Sequence, residues 1–464
     1  MQESEKTTNK PIVLEADKPP FANPGARMCP MISEVETQAL SRRQKVMMAP
    51  DALPKTGKCW YVSTSGSAHN DGSEEHPWDS TDTLNANNSK LSAGDTVLFE
   101  RGCIFRGFIQ TVNGVSYGAY GYGDKPCLYG TLRNQAGDVW RQTEDGLWTV
   151  DEVYPADVGN IIFDHGEMVG YKRNTRAEVK ANYDFWCDHD DDNRFYIYFD
   201  FDPNDHFTSV EVAFNRWMFR IDAGAHDILV ENMTFRYCGG HGVRASAAKN
   251  ITVRGCEFGF IGGCYLSGYK DGLTRYGNAV EFMGGCENVL VENNWIYQIY
   301  DSGITHQGGG DYCASDLMFR NNLIEYCGMG SIEYWLAPEA RCKNVTYDGN
   351  IMRFSGYNFG GIQRPIKYQT AHVESNGKCA NGAENFRIIN NIFEGGTYDL
   401  IDGESALNTP PTLYGNTYIQ ARGSRLGSLG ASRDVLFDDD VERTIKEVWG
   451  DTAARVIITD AVSV

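Results

Sequence analysis

Three acids recur at one place in short segments that follow Gly-rich turns: Glu281 in NAVEFM, Glu333 in GSIEYW and Asp402 in DLIDGE. Each follows an aliphatic residue, and the related segments HGVRAS, SGITHQ and GGIQRP put Arg244, Thr305 and Gln363 at the same place after Val243, Ile304 and Ile362. If each segment is a strand, the aliphatic residue points inward and its successor outward. Stacked in register, the segments present the row Arg244, Glu281, Thr305, Glu333, Gln363, Asp402. Two positions on, a second row holds Ser246, Met283, Gln307, Trp335, Pro365 and Glu404. At a strand spacing of ~4.8 Å, Glu281 and Glu333 stand ~9.6 Å apart along the backbone. That permits carboxyl separations of about 6.5–9.5 Å, the range in which one carboxyl group protonates a glycosidic oxygen while the other activates water. Glu333 and Asp402 have the same spacing, and Asp301, just ahead of the Thr305 strand in IYDSGITHQG, is a closer partner for either Glu.

The neighbours of these acids fit a sugar ligand. His241 (GGHGV) and His306 (GITHQ) adjoin the row and suit polarising a carboxylate or holding a hydroxyl. Arg364 and Lys367, in QRPIKY, suit an acidic substituent. Trp335, Tyr334, Tyr312, Tyr300, Tyr265 and Tyr357 offer rings for the apolar C–H face of a sugar. The expected catalytic set is therefore Glu281, Glu333 and Asp301. The expected binding set is Arg244, His241, Thr305, His306, Gln307, Trp335, Gln363, Arg364, Asp402 and Glu404. A merely solvated face would carry scattered Lys, Ser, Thr and Asn; this row has three acids and no Lys. No cofactor is expected. The acidic stretch Cys187–Phe195 lacks the Gly and closing Glu of an EF-hand loop, which leaves calcium without a motif.

The elements that position these residues are legible as a repeat. From residue 226 one phrase returns: DILVENMTF, NITVRGCEF, NVLVENNWI, DLMFRNNLI, NVTYDGNIM, NFRIINNIF and PTLYGNTYI. Its equivalent positions are Met233, Cys256, Asn294, Asn322, Asn350, Asn391 and Asn416, at intervals of 23, 38, 28, 28, 41 and 25 residues. Pairs such as Ile251 and Val253, or Val289 and Val291, alternate with polar residues, which is strand periodicity. Asn at one turn position in consecutive coils can hydrogen-bond along the stack. These repeats resemble the right-handed parallel β-helix superfamily of pectin-lyase type, over roughly residues 57–130 and 221–430. CWYVSTSGSAHNDGSEEHPWDS and LSAGDTVLFERGCIFRG resemble the opening coil of its carbohydrate-active members.

The fold class expected is all-β: a right-handed single-stranded parallel β-helix with an inserted β-subdomain and helical caps at both ends. Residues 1–56 are expected to form an N-terminal cap with a helix near Ser33–Met47. Residues 57–130 form the first coils, 131–220 the insertion, 221–430 the main coils, and 431–464 a helical C-terminal cap with a helix over 437–455. The resemblance implies a carbohydrate-active enzyme. The reading it favours is a glycoside hydrolase acting on an oligosaccharide. A polysaccharide lyase or uronate epimerase is the alternative, and a non-catalytic glycan-binding solenoid the third.

The whole chain bounds the partners. Its 464 residues carry 42 basic and 62 acidic side chains, a net charge of −20, so no nucleic acid or anionic membrane is expected as a partner. No apolar run reaches the ~18 residues of a membrane span. The start, MQESEKTTNKPIVLEADKPP, has no apolar core of the signal-peptide kind. The 13 Cys residues include no CxxC pair. Together these predict free thiols and a cytoplasmic location.

Overall fold

A computed structural model describes residues 27–188, 192–268, 272–308, 310–364, 370–377, 383–403 and 410–463. Alternating apolar positions cannot be buried by one strand alone, so coil stacks on coil and three sheets of ten strands form. One complete coil shows the pattern: Lys249–Arg254, Glu257–Ile261, then Val280–Met283, each paired in parallel with the corresponding strand of the next coil. Ile251, Val289, Leu317, Val345 and Phe386 lie in register and project into the core.

The Asn column forms as the repeat predicts. Asn294, Asn322, Asn350, Asn391 and Asn416 are fully buried. Each of the first four donates from Nδ2 to the Oδ1 of the next at 2.9–3.1 Å. The same Oδ1 accepts the backbone N–H of the preceding Asn at 2.9–3.0 Å. Nδ2 also reaches a strand carbonyl, as Asn322 does to Val291 O at 3.0 Å. Every amide atom is thus satisfied where the chain bends and has no ladder partner. Asp451 ends the column by accepting Asn416 Nδ2 at 2.8 Å.

Between the first coils and the main stack, residues 141–214 build one sheet of three strands and one of five around their own aromatic core. Glu211 ties this insertion to the first coils through a two-pronged pair with Arg106, both contacts 2.8 Å.

The two ends differ from expectation. The helix Ser33–Met47 is present, but it lies along the flank of the solenoid instead of covering its first coil. Arg27–Met28 pair with Val462–Ser463, and Ile32 N–H donates to Glu394 Oε1 at 2.8 Å. Arg43 binds both oxygens of Glu325 at 2.8–2.9 Å, and Ala52 N–H donates to Glu231 Oε1 at 2.5 Å. The segment is a strap running from the last coils to the first. Acids on the outer face of successive coils drew it there, a match invisible to helix periodicity. At the other end the helical cap is short: Val441–Arg443, continued by a wider turn through Thr444–Val448. Arg455–Thr459 then joins a long sheet as its last strand. Among the described residues no helix is long and apolar enough to cross a membrane, and twelve cysteines are free, most of them buried.

Candidate active site

The outward row lies on the sheet that ends each coil. In register it reads Gln110, Arg220, Arg244, Glu281, Thr305, Glu333, Glu374, Asp402, Ser428. Five of the six expected members are in place. Gln363 is not: GGIQRP does not form the strand, because Phe359–Gln363 is a short helix begun by Asn358, whose side chain accepts from Gly361 N–H. Gln363 instead accepts from Lys172 N–H at 3.2 Å and Arg275 Nη1 at 3.0 Å, bracing the insertion. The strand of this coil is Ala371–Gly377, so Val373 replaces Ile362 inside and Glu374 takes the outward place. In the second row Ser246, Met283, Gln307 and Trp335 are in register, followed by Asn376 in place of Pro365. Pro365, Lys367 and Glu404 lie outside the described residues.

Glu281 is 4 % exposed. Its Oε2 accepts Asn278 Nδ2 at 2.7 Å and faces His241 Nε2 at 3.1 Å. His241 Nδ1 in turn accepts Asn278 N–H at 3.1 Å, which places the imidazole proton on Nε2 and aims it at the carboxyl group. Burial holds His241 neutral, its pKa down at about 3, with the Arg244 charge lowering it further. Burial also pushes Glu281 up to about 7, against the Asn278 hydrogen bond and the Arg244 charge. His241 is thus on the site, and Asn278 is an orienting residue that sequence reading missed.

Glu333, two strands on, is 3 % exposed. Its Oε2 accepts Ser302 Oγ at 3.2 Å and Gln307 Nε2 at 3.4 Å. Burial raises its pKa to about 8, and the negative charges of Asp301 and Glu281 add to the rise. Asp301 is brought to this site but is held by Arg364, Nη1 to Oδ1 at 2.5 Å. Thr305 lies between the two Glu strands, fully buried, its hydroxyl without a partner among the described residues.

Glu374 is 2 % exposed, and its Oε2 has no hydrogen-bond partner among the described residues. Burial raises its pKa well above the ordinary carboxyl range, with the Asp402, Glu333 and Asp399 charges adding to the shift. Asp402, next in the row, is half-buried and shifted up by burial. Asp399, on the same strand, is paired with Arg425 at 2.5 Å.

His306 is not on this face. Ile304 points in and Thr305 out, so His306 points in again. It is buried in the core, its ring 6.0 Å from that of Tyr334 and its Nε2 2.7 Å from Tyr347 Oη. Tyr334 shares that inward position, and Tyr300 and Tyr357 are buried on the other flank. Of the expected rings, Trp335 remains outward and half-buried, with Tyr312 Oη donating to its carbonyl at 3.1 Å. Among the described residues no three His, Cys, Asp or Glu side chains converge as a cation site.

Residues 221–352 match the family model described as the right handed beta helix region. No curated protein matches the chain in sequence. Solved structures similar to it include the complex of XylC with xylose, at 13% identity, covering 80% of this chain and 67% of that one with a TM-score of 0.46. Another is a GH136 lacto-N-biosidase from Eubacterium ramulus, at 15% identity, covering 87% of this chain and 67% of that one with a TM-score of 0.33. A third is the pectate lyase Pel9A, at 10% identity, covering 78% and 69% with a TM-score of 0.39. The parallel coils, matched over residues 221–352 by that family model, give the chain the right-handed parallel β-helix fold.

Proposed function

We propose that the protein is a glycoside hydrolase that cleaves an oligosaccharide with Glu281 and Glu333 as its two carboxyl groups. The observation that carries this reading is the paired geometry. Two nearly fully buried carboxyls stand two strands apart on one face, each with one oxygen anchored by donors and each pushed toward neutral pH. Their environments divide the roles. Burial, with negative neighbours adding to it, keeps Glu333 protonated, which suits the general acid. Two N–H groups and Arg244 favour the charged form of Glu281, which suits the base. Backbones ~9.6 Å apart leave room for a water between them. Glu281 takes a proton from that water as its oxygen bonds to the anomeric carbon. The glycosidic C–O bond breaks, and the leaving oxygen takes the Glu333 proton. Thr305 is placed to hydrogen-bond the sugar between them.

Incubation with an oligosaccharide panel tests this. A hydrolase releases saturated sugars with new reducing ends, and Glu281→Gln or Glu333→Gln slows release by about 10²–10⁴. Ultraviolet-absorbing unsaturated products would replace this reading with β-elimination, for which Arg244 stands beside Glu281 as the group that neutralises a uronate. Undiminished glycan binding without turnover in the unaltered protein would favour the binding solenoid.

A further inference from the structure

The outward row is electrically lopsided, and at its basic end Arg216 and Arg220 stand beside Arg244 with no role yet assigned. Arg216, Arg220 and Arg244 gather there in a chain of net charge −20. All three are half-buried, and no carboxylate lies within 4.0 Å of any of them among the described residues. Each instead lies on an aromatic face: Arg216 4.5 Å from the Phe214 ring centre, Arg220 3.7 Å from that of Phe108, and Arg244 4.1 Å from that of Trp217. Burial lowers the pKa of Arg216 and Arg220, and the Arg220 charge lowers that of Arg216 further. Like charges have been gathered with no carboxylate in contact; Asp82 and Asp222 act on Arg216 and Arg220 only through space. The described hydrogen bonds use little of their donor capacity: Arg220 Nε to Trp217 O at 3.2 Å and Arg244 Nη2 to Met283 Sδ at 3.5 Å. Stacked, pre-oriented guanidinium groups with spare N–H donors are suited to a planar or tetrahedral oxyanion.

Register fixes where that oxyanion sits. Arg220 pairs with Arg244, and Arg244 with Glu281, so the basic end abuts the proposed base by one strand. Past Thr305 the row is acidic without interruption: Glu333, Glu374, Asp402. We propose that the Arg220–Arg244 end holds a single anionic group, a carboxylate or a sulfate ester, on the sugar unit next to Glu281, and that the substrate continues as neutral units over Glu333 and Glu374. This rests on the hydrolase reading for its orientation. It names an oligosaccharide with one acidic unit and excludes a homopolymer of acidic sugars, whose later charges would lie over buried carboxyl groups. It also gives the chain a direction in the groove.

The test is a titration that does not depend on turnover. D-Glucuronate, D-glucose 6-sulfate, D-glucose and tetragalacturonate are titrated into the full chain and followed by tryptophan fluorescence, with Trp217→Phe identifying the signal from the ring under Arg244. The expected result is saturable binding of glucuronate or the sulfate ester, much tighter than that of glucose. Arg220→Gln or Arg244→Gln should weaken it about tenfold to a hundredfold, the loss of one charge-assisted contact, and Arg244→Lys should recover part. Preference for glucuronate identifies a carboxylate, and preference for the sulfate an ester. Glucose binding as tightly as both, anion binding unchanged in the two Gln variants, or tetragalacturonate binding much tighter than glucuronate would each overturn the proposal. If Glu281→Gln and Glu333→Gln keep full turnover while the anion titration succeeds, the catalytic-pair assignment fails and the anion subsite stands.

Discussion

At Glu281 two donors converge on one oxygen, and at Glu333 two negative neighbours oppose ionisation. These environments predict a narrow pH profile. The rate rises as Glu281 loses its proton through about 7 and falls as Glu333 loses its own through about 8. Steady-state kcat/KM against pH should therefore show a bell with its maximum between those values. Each Glu→Gln variant should lose about 10²–10⁴ in kcat, with KM little changed. Glu374 gives a separate test. An unfolded Glu releases its proton near about 4.3, whereas the folded chain holds this one far higher. Between those points the folded state binds the extra proton, so stability falls as pH rises. Glu374→Gln should melt with the parent near pH 4 and above it at pH 8, with a gap that widens across the interval; a constant gap would refute the shift. Much of this site is legible in sequence, because an acid after an aliphatic residue in a Gly-led strand has its face fixed by alternation. The same alternation places His306 inside, two residues on from Ile304. Glu374 was hidden by a decoy: GGIQRP carries the Gly-aliphatic-polar signature, and only the 41-residue interval from Asn350 to Asn391 signals extra chain before the true strand.

Within each coil the turn is held by a side chain, not by ladder bonds, and that sets which substitutions the solenoid tolerates. Asn322→Ala removes its bonds to Asn350 and Val291 and leaves Asn294 Nδ2 with one acceptor fewer. With buried groups unsatisfied at about 1–3 kcal/mol each, denaturant unfolding should show a loss of about 2–4 kcal/mol. A loss under 1 kcal/mol would mean that the column decorates a turn held by other contacts. A second, exposed column runs beside it, with Asn288 donating to Asn250 at 2.8 Å, Asn344 to Asp316 at 2.8 Å and Asn385 to Asn344 at 2.9 Å. All five residues have positive φ, 54–58°, where Asn and Asp are tolerated. Their places at the head of NIT, NVL, DLM, NVT and NFR were visible, but one short polar residue per phrase does not separate a stacked column from an ordinary turn.

Across the whole molecule the strap joins coils that are otherwise neighbours only of neighbours. Its Glu36 meets Arg353 at 2.6 Å, and Arg353 also binds Glu394 at 2.6 Å and Glu325 at 3.4 Å. Arg353→Ala would leave Glu394 without a cation, while Arg43 still holds Glu36 and Glu325; breaking such a buried pair costs about 3–5 kcal/mol, and thermal unfolding should show that loss as a single earlier transition. A two-step melt would show that the coils unfold independently of the strap. The strap has a further consequence for descent. Solenoids commonly lengthen or shorten by copying whole turns, each adding ~4.8 Å. Here a helix of 15 residues spans ~22 Å beside the stack and is fastened near both ends. Adding a turn between Glu231 and Glu394 would demand about three more helical residues at ~1.5 Å each. The chain therefore carries its own ruler, and gain or loss of a repeat in this stretch must be matched by a simultaneous change in the leading segment.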